Sequence, residues 1–212
     1  TSTHPPIINC NITPEIKNLK HKPSKFNINN NLRRKNESLY TAIGKNIVIY
    51  GRVMDKNCIP ITDAVIQVWQ TNSYGIYQND PSASESDNKR HELLFDPNFI
   101  GSGTTTSNNI GGFHFITIMP NIYEGHAPHV NVNITHPYLT HFQTKIFFSD
   151  SIGNKEDISL KKIKPELRSR LIATTYSELY GQNNQSGEGL YGKNTVYFID
   201  IVLDQVIKYK EY

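Results

Sequence analysis

Short segments in which apolar and polar residues alternate recur along most of the chain, separated by polar turns. Alternation over five to ten residues is typical of a β-strand with one or both faces covered. The segments are rich in Val, Ile, Phe and Tyr, which favour extended backbone. The predicted strands are Asn46–Met54, Ala64–Thr71, Gly112–Met119, Pro128–Thr135, Gln143–Ser149 and Thr195–Leu203. Short strands joined by long polar loops predict an all-β fold, an antiparallel β-sandwich with long rim loops.

Two segments between these strands have other patterns. Residues 165–180 place leucines at helical spacing, with Pro165 suited to a first turn and Gly181 to a stop, which predicts one short helix. Residues 72–107 are full of Asp, Ser, Asn, Gly and Pro and are predicted to form a long loop.

The first 45 residues differ from the rest of the chain. They are rich in Pro, Asn and Lys and show little hydrophobic periodicity. We predict an extended arm over residues 1–45, lying on a single sandwich domain of residues 46–212.

Composition narrows the functional classes. The formal net charge is +3, the charged share is 19% and the mean hydropathy is −0.50, with basic residues dispersed along the chain. A nucleic-acid partner normally requires a more concentrated basic patch, so none is expected. No run of 18 apolar residues occurs, so no membrane span is expected.

Two cysteines, Cys10 and Cys58, allow one disulfide in an exported chain or two free thiols in a reducing compartment. The sequence begins at Thr1 rather than Met, which a removed signal peptide or a trimmed chain would explain equally. An exported or periplasmic location and a cytoplasmic one both stay open.

Two places in the sequence could carry chemistry. On the predicted strand that contains them, His129 and Asn131 project to the same side and could share a metal ion. The alternative is the polar outer face of an edge strand. Tyr74 and Tyr77 follow the end of another strand, and a phenolate is a good ligand for ferric iron. The alternative for a tyrosine in this loop is a packing role.

The order of several motifs resembles the intradiol ring-cleavage dioxygenases, the family of protocatechuate 3,4-dioxygenase and catechol 1,2-dioxygenase. The body matches at Gly51–Val53, Pro60–Gln70, Gly75–Tyr77, Asp96–Phe99, Gly112–Pro120, Tyr123, Ala127–Val130 and Phe198–Leu203, and the arm matches exported members at Cys10–Glu15 and Leu32–Arg33. The resemblance implies an oxidoreductase of aromatic catabolism, a mononuclear non-haem Fe(III) as cofactor, and a catechol-type diol and dioxygen as substrates.

The family holds its iron with two tyrosinates and two histidines, whose counterparts here are Tyr77, Tyr123, His129 and Asn131. The amide of Asn131 is a departure, because it is a weaker and neutral ligand. His126 stands where the family has an arginine near the substrate, and Lys145 aligns with a glutamine. The resemblance implies that Tyr123 and His126 act in catalysis and that His126 and Lys145 contact the substrate.

Three explanations of the departures stay open. The site could be rebuilt with another imidazole, from His126 or from the more distant His114, His136 or His141. Asn131 or water could fill the fourth position in a weakened enzyme. The chain could instead be a non-catalytic relative, either a partner subunit of an active chain or an iron-free sandwich that serves as a binding module. A homo-oligomer is equally compatible with the sequence.

Overall fold

The strands of the structure alternate with loops and a few short helices. The structure, a computed structural model, describes residues 10–82, 85–181 and 194–209. Its strands are β1 (Asn46–Met54), β2 (Val65–Trp69), β3 (Ser102–Thr106), β4 (Gly112–Ile118), β5 (His129–His136), β6 (Leu139–Phe148), β7 (Ile172–Thr175) and β8 (Thr195–Val202). Its helices are α1 (Glu85–Leu94), α2 (Ile158–Lys161) and α3 (Tyr176–Tyr180), with 3₁₀ turns at Asn154–Glu156 and Pro165–Leu171. The all-β prediction and the six predicted strands are confirmed.

The strands form one sheet in the order β3-β2-β5-β6-β7-β8-β1-β4. The sheet folds over so that β3-β2-β5-β6 faces β7-β8-β1-β4, and side chains such as Ile66 and Val132 from the first layer pack with Ile49 and Ile201 from the second in one core. The result is a sandwich that is nearly closed into a barrel.

The prediction of a purely antiparallel sheet is wrong. β1 pairs with β8 in parallel, and β6 pairs with β7 in parallel, while the other neighbours are antiparallel. Alternating polarity specifies which face of a strand is buried but not the direction of its neighbour. Neither parallel pair is joined by a hairpin, so no tight turn forces those strands to run in opposite directions.

The single short helix predicted near 165–180 is confirmed only in part, because the segment divides into three elements. A 3₁₀ turn covers Pro165–Leu171, β7 follows at Ile172–Thr175, and α3 begins at Tyr176. β7 bridges the two layers by pairing with both β6 and β8. Backbone groups in that position find partners only in a strand, and this requirement outweighs the helical spacing of the leucines.

The region predicted as a loop over 72–107 contains regular structure. α1 spans Glu85–Leu94 and β3 spans Ser102–Thr106 at the edge of the sheet beside β2. β3 is poor in apolar residues, with the sequence SGTTT, and therefore lacks the alternation on which strand prediction depends.

The arm is attached to the sandwich at many points. Apart from one isolated bridge at Asn31, residues 10–45 form no helix or strand. The Thr13 amide donates to the Val202 carbonyl, and the Leu32 amide donates to the Ile116 carbonyl. Leu32 is fully buried in the core, and a disulfide joins Cys10 to Cys58. The division between arm and domain at residue 45 stays a prediction, and residues 1–9 of the arm lie outside the described residues.

In the described ranges, no helix is both long enough and apolar enough to cross a bilayer.

Candidate functional site

A cavity of about 450 Å³ opens between the arm, β5, β6 and α2. Its walls include every residue that the sequence assigned to the site: Tyr77, Tyr123, His126, His129, Asn131 and Lys145. These residues come from four separate stretches of chain, so the cavity brings together side chains that are up to 68 positions apart in the sequence. We call it the site cavity.

β5 supplies one wall of the site cavity. The strand lies between β2 and β6, in the interior of the sheet, with Asn131 paired to Trp69 on one side and to Lys145 on the other. His129 and Asn131 are both buried. The alternative of a polar outer face on an edge strand is therefore wrong, and the shared orientation of the two side chains is confirmed.

A chain of hydrogen bonds connects the polar groups of this wall. His129 Nδ1 lies 2.8 Å from the Ala127 carbonyl oxygen, which can only accept, so Nδ1 carries the proton. His129 Nε2 is then the acceptor for the Tyr77 hydroxyl, 3.1 Å away. The Asn131 amide nitrogen donates to the same hydroxyl at 3.0 Å and approaches the Trp69 carbonyl at 3.3 Å. Tyr77 thus sits at the junction of the two β5 side chains.

Burial keeps both central groups neutral. It raises the pKa of the Tyr77 phenol well above its ordinary value, and the hydrogen bond from Asn131 opposes this only in part. Burial, with Lys145 nearby, lowers the pKa of His129 to about 3. A neutral imidazole is the form that ligates a metal. A phenol in this position would lose its proton only if a strong positive charge, such as a metal ion, lay next to it.

Tyr123 is placed by a two-residue turn. The Tyr123 amide donates to the His126 carbonyl at 3.1 Å, and the His126 amide donates back to Tyr123 at 2.8 Å. The central residues Glu124 and Gly125 have φ values of 40° and 79°, as in the tight turns of β-hairpins. The turn holds the Tyr123 ring 5.1 Å from that of Tyr77, edge to face.

His126 and Lys145 form a polar cluster beside this turn. Lys145 Nζ donates to Ser159 Oγ at 3.0 Å, and His126 Nδ1 lies 3.5 Å from the buried carboxylate of Asp157. Burial and Lys145 lower the pKa of His126, and burial lowers the pKa of Lys145. The cluster places hydrogen-bond donors next to the phenols, where an anionic ligand would lie.

The structure adds a residue that the sequence did not point to. His21 of the arm lines the site cavity, stacked on the ring of Tyr77 with centroids 4.5 Å apart and an interplanar angle of 14°. Its partner is Asp80, which sits in the loop after Tyr77. A histidine in a segment without periodicity gives no local signal, so only the folded arrangement could reveal it.

The more distant histidines do not reach the site cavity. His114 contacts Asn30, His136 contacts the Thr62 carbonyl, and His141 contacts the Asn133 side chain. The hypothesis that one of these three replaces the missing imidazole is wrong.

The donors fit a mononuclear site in part. Two ligands each about 2.1 Å from one ion, and roughly at right angles, lie about 3 Å apart, as Tyr77 Oη and His129 Nε2 do at 3.1 Å. Tyr123 adds a second phenol within reach. Across the described ranges, no cluster of three or more His, Cys, Asp or Glu side chains could hold a metal ion, so a site here depends on tyrosine oxygen. Asn131 does not fit as a donor, because it presents its NH₂ group to Tyr77.

Comparison with known proteins gives consistent matches. A family model described as "Dioxygenase" matches residues 21–204. A Rickettsia typhi protein named "Putative dioxygenase" is 36% identical over 164 residues, 77% of each chain. The protocatechuate 3,4-dioxygenase beta chain of Burkholderia cepacia is 32% identical over 114 residues, 53% of this chain and 43% of that protein.

A solved structure shows the same fold. The intradiol ring-cleavage dioxygenase of Tetranychus urticae superposes with a TM-score of 0.68 and 19% identity, covering 94% of this chain and 98% of the other. The ordered motifs, the mixed sandwich and the phenol-lined cavity agree with these matches, and the chain belongs to the intradiol dioxygenase family.

Proposed function

We propose that the protein binds one non-haem Fe(III) through Tyr77, Tyr123 and His129 and uses dioxygen to open the ring of a catechol-type diol between its two hydroxylated carbons. The observation that carries this proposal is the convergence of two phenols and one neutral imidazole nitrogen on a single cavity, with a 3.1 Å separation between Tyr77 Oη and His129 Nε2. Membership of the family supports the same chemistry.

The bound Fe(III) would supply a Lewis acid that favours the deprotonated diol and draws electron density from its ring. Both oxygen atoms of O₂ enter the product, a dicarboxylic acid of the muconic type, so no external reductant is consumed. The remaining work falls to the chain itself.

As a phenolate, Tyr123 would be suited to accept a proton from the substrate. It is carried on a two-residue turn outside the sheet, whose geometry can adjust more easily than that of a paired strand. Tyr77 is wedged between His129 and Asn131 and is buried, which suits a fixed ligand. The two phenols therefore have different roles, one mobile and one fixed.

Lys145 and His126 would bind the negatively charged end of the substrate or product. Their side chains lie on one side of the cavity, joined through Ser159. His126 is a titratable ring where an arginine would carry a permanent charge, so this stabilisation weakens as the ring loses its proton.

Metal analysis with a visible spectrum tests the proposal. Protein purified with added ferric iron should hold one iron per chain and be reddish-brown from tyrosinate-to-iron charge transfer. Anaerobic catechol should shift that absorption, and air should then yield a muconate-type product. The proposal would be overturned if the iron-loaded protein showed no change in absorption on adding catechol and formed no product.

One observation favours a second candidate, a non-catalytic relative. The run of hydrogen bonds from Ala127 through His129, Tyr77 and Asn131 to Trp69 is complete without a metal. A chain with this network could serve as the partner subunit of an active protein. Protein that stays colourless and iron-free after iron supplementation would support this candidate over the first.

A further inference from the structure

The arm contributes an imidazole to the two candidate tyrosine ligands. The His21 ring stacks on Tyr77 and meets Tyr123 edge to face, with centroids 4.9 Å apart. His21 therefore lies at the position from which a donor could reach an ion held between the two rings.

Asp80 fixes which nitrogen of His21 is available. Nδ1 is hydrogen-bonded to the Asp80 carboxylate, which also accepts from the Ser82 amide and hydroxyl. A carboxylate only accepts, so Nδ1 carries the proton, and in the neutral form of the ring Nε2 keeps its lone pair. Within the described residues, His21 Nε2 has no hydrogen-bond partner.

The same orientation occurs at His129, whose Nδ1 donates to the Ala127 carbonyl. Histidines that bind metals almost always give their other ring N–H to a carboxylate or a backbone carbonyl, which sets the tautomer and the ring direction. His21 and His129 both carry that arrangement. For His126 the equivalent carboxylate contact, with Asp157, is longer at 3.5 Å.

The arm is anchored on both sides of His21. The Ile16 amide donates to the Gln143 carbonyl at 2.9 Å before it. The indole of Trp69 donates to the Lys20 carbonyl at 2.9 Å, and the Phe26 ring packs against Trp69 after it. His21 itself has a φ of 60°, a conformation that is costly for a residue with a side chain and that collects at functional positions. The local fold thus imposes this position on His21.

Asn131 cannot take the same role without rearrangement. Turning its amide to present Oδ1 to Tyr77 would make Oδ1 and His129 Nε2 compete for the single proton of that hydroxyl, and would remove the bond to the Trp69 carbonyl. The fourth ligand position, on β5, is therefore occupied by the hydrogen-bond donor group of Asn131. His21 presents no comparable obstacle, because its hydrogen bond to Asp80 uses Nδ1 and not Nε2.

We propose that His21, oriented by Asp80, supplies the second imidazole of the metal site and so replaces the histidine that Asn131 displaced. This inference rests on the proposed function, since it concerns the same iron. Asp80 acts on the metal only through His21 and is a positioning residue.

The test counts imidazoles on the iron and does not depend on turnover. Pulsed electron paramagnetic resonance of the ferric protein should detect two coordinated imidazoles in the wild type, one in His21→Ala, and two in the matched variant His126→Ala. His21→Ala should bind Fe(III) more than about 100-fold more weakly, and Asp80→Ala about 10- to 100-fold more weakly, as for the loss of an outer partner. Adding Asn131→His to His21→Ala should restore the second imidazole.

Thermal unfolding of the iron-free variants controls for folding, because His21→Ala removes a partly exposed side chain and should leave the midpoint within a few degrees. One imidazole in iron-loaded wild type, or two in His21→Ala, would overturn the inference and leave the proposed function intact. Loss of one imidazole in His126→Ala alone would overturn it in favour of His126. Wild type that takes up no iron would overturn both proposals together.

Discussion

The two sides of the site cavity are built by different means. On one side, His129, Asn131 and Lys145 stand on adjacent strands of the sheet, where register fixes each side chain relative to the next. On the other side, Tyr77, Tyr123 and His21 stand on loops and on the arm, where single hydrogen bonds and ring contacts fix them.

The difference shows where substitution has been tolerated. An amide occupies the strand side at Asn131, and the sheet accepts it because Tyr77 and Trp69 satisfy its NH₂ group. The loop side instead holds an imidazole in a segment without regular structure. Under the proposal for His21, a ligand missing from a strand is supplied by an arm without regular structure, which its contacts hold against the sheet.

The largest expected effect comes from Tyr77→Phe, which removes the atom where the two sides meet. His129 Nε2 and the Asn131 amide both lose their partner, and the proposed ligand oxygen is gone. We expect iron binding to fall by more than the about 10- to 100-fold that an outer partner contributes, together with the visible colour. Titration with ferric iron followed by absorbance measures both.

The exposed Tyr74, three residues earlier, provides the matched control. Tyr74→Phe should leave the affinity for iron and the spectrum unchanged. Equal affinity and equal colour in Tyr77→Phe and wild type would show that Tyr77 is not a ligand of the metal.

The strand side could be predicted from the sequence and the loop side only in part. Period-two alternation placed His129 and Asn131 on one face, because a strand transmits that information without knowledge of its neighbours. Tyr77 and Tyr123 came from the family resemblance, and their 5.1 Å ring separation depends on a turn whose geometry alternation does not encode. His21 is brought to the site by contacts 49 and 59 positions distant, from Lys20 to Trp69 and from His21 to Asp80.

The same limit applies to the fold. β1 is predicted to the residue, since its nearly continuous run of strand-forming residues is buried along almost its whole length. β7 was missed because its four residues are strand only through pairing with β6 and β8. Local pattern fails wherever long-range pairing decides the backbone conformation.

The second largest effect concerns whether the arm is part of the fold. Leu32 is fully buried and packs closely against Gly103. A Cβ added to Gly103 would lie only 2.6 Å from Leu32 Cδ1. Leu32→Ala should lower the free energy of unfolding by about 3 kcal/mol, as for other buried leucines. Urea denaturation of the iron-free protein measures this loss.

Ile28, four residues earlier, is 82% exposed and offers a matched control. Ile28→Ala should change the free energy of unfolding by less than about 0.5 kcal/mol. Similar changes in the free energy of unfolding for both variants would mean that the arm does not contribute to stability. The argument that the arm fixes the position of His21 would then be contradicted.

A smaller effect should come from the turn that carries Tyr123. Gly125 has a φ of 79°, and an added Cβ would lie 2.6 Å from Ile158 Cδ1. Gly125→Ala should lower the free energy of unfolding by about 1–2 kcal/mol through backbone strain and should also weaken catechol binding, since α2 borders the cavity.

Gly181 has the same φ of 79°, and no described residue lies within 4 Å of an added Cβ there. Gly181→Ala therefore carries the strain without the contact, and it should leave catechol binding unchanged. If both variants bound catechol as the wild type does, the turn would not be what positions Tyr123 for the substrate.

The smallest expected effect is a gain in activity from restoring the family's residues at the two positions where this chain departs from them. His126→Arg with Asn131→His replaces a titratable ring by a permanent charge and a neutral amide by an imidazole, which is the stronger ligand. We expect kcat/KM for catechol to rise about tenfold, equivalent to about 1.4 kcal/mol of transition-state stabilisation. The two single variants complete a double-mutant cycle, because the two side chains flank His129 and need not act independently. If neither the singles nor the double variant gained activity, the correspondence of these two positions with the family's arginine and second histidine would be wrong.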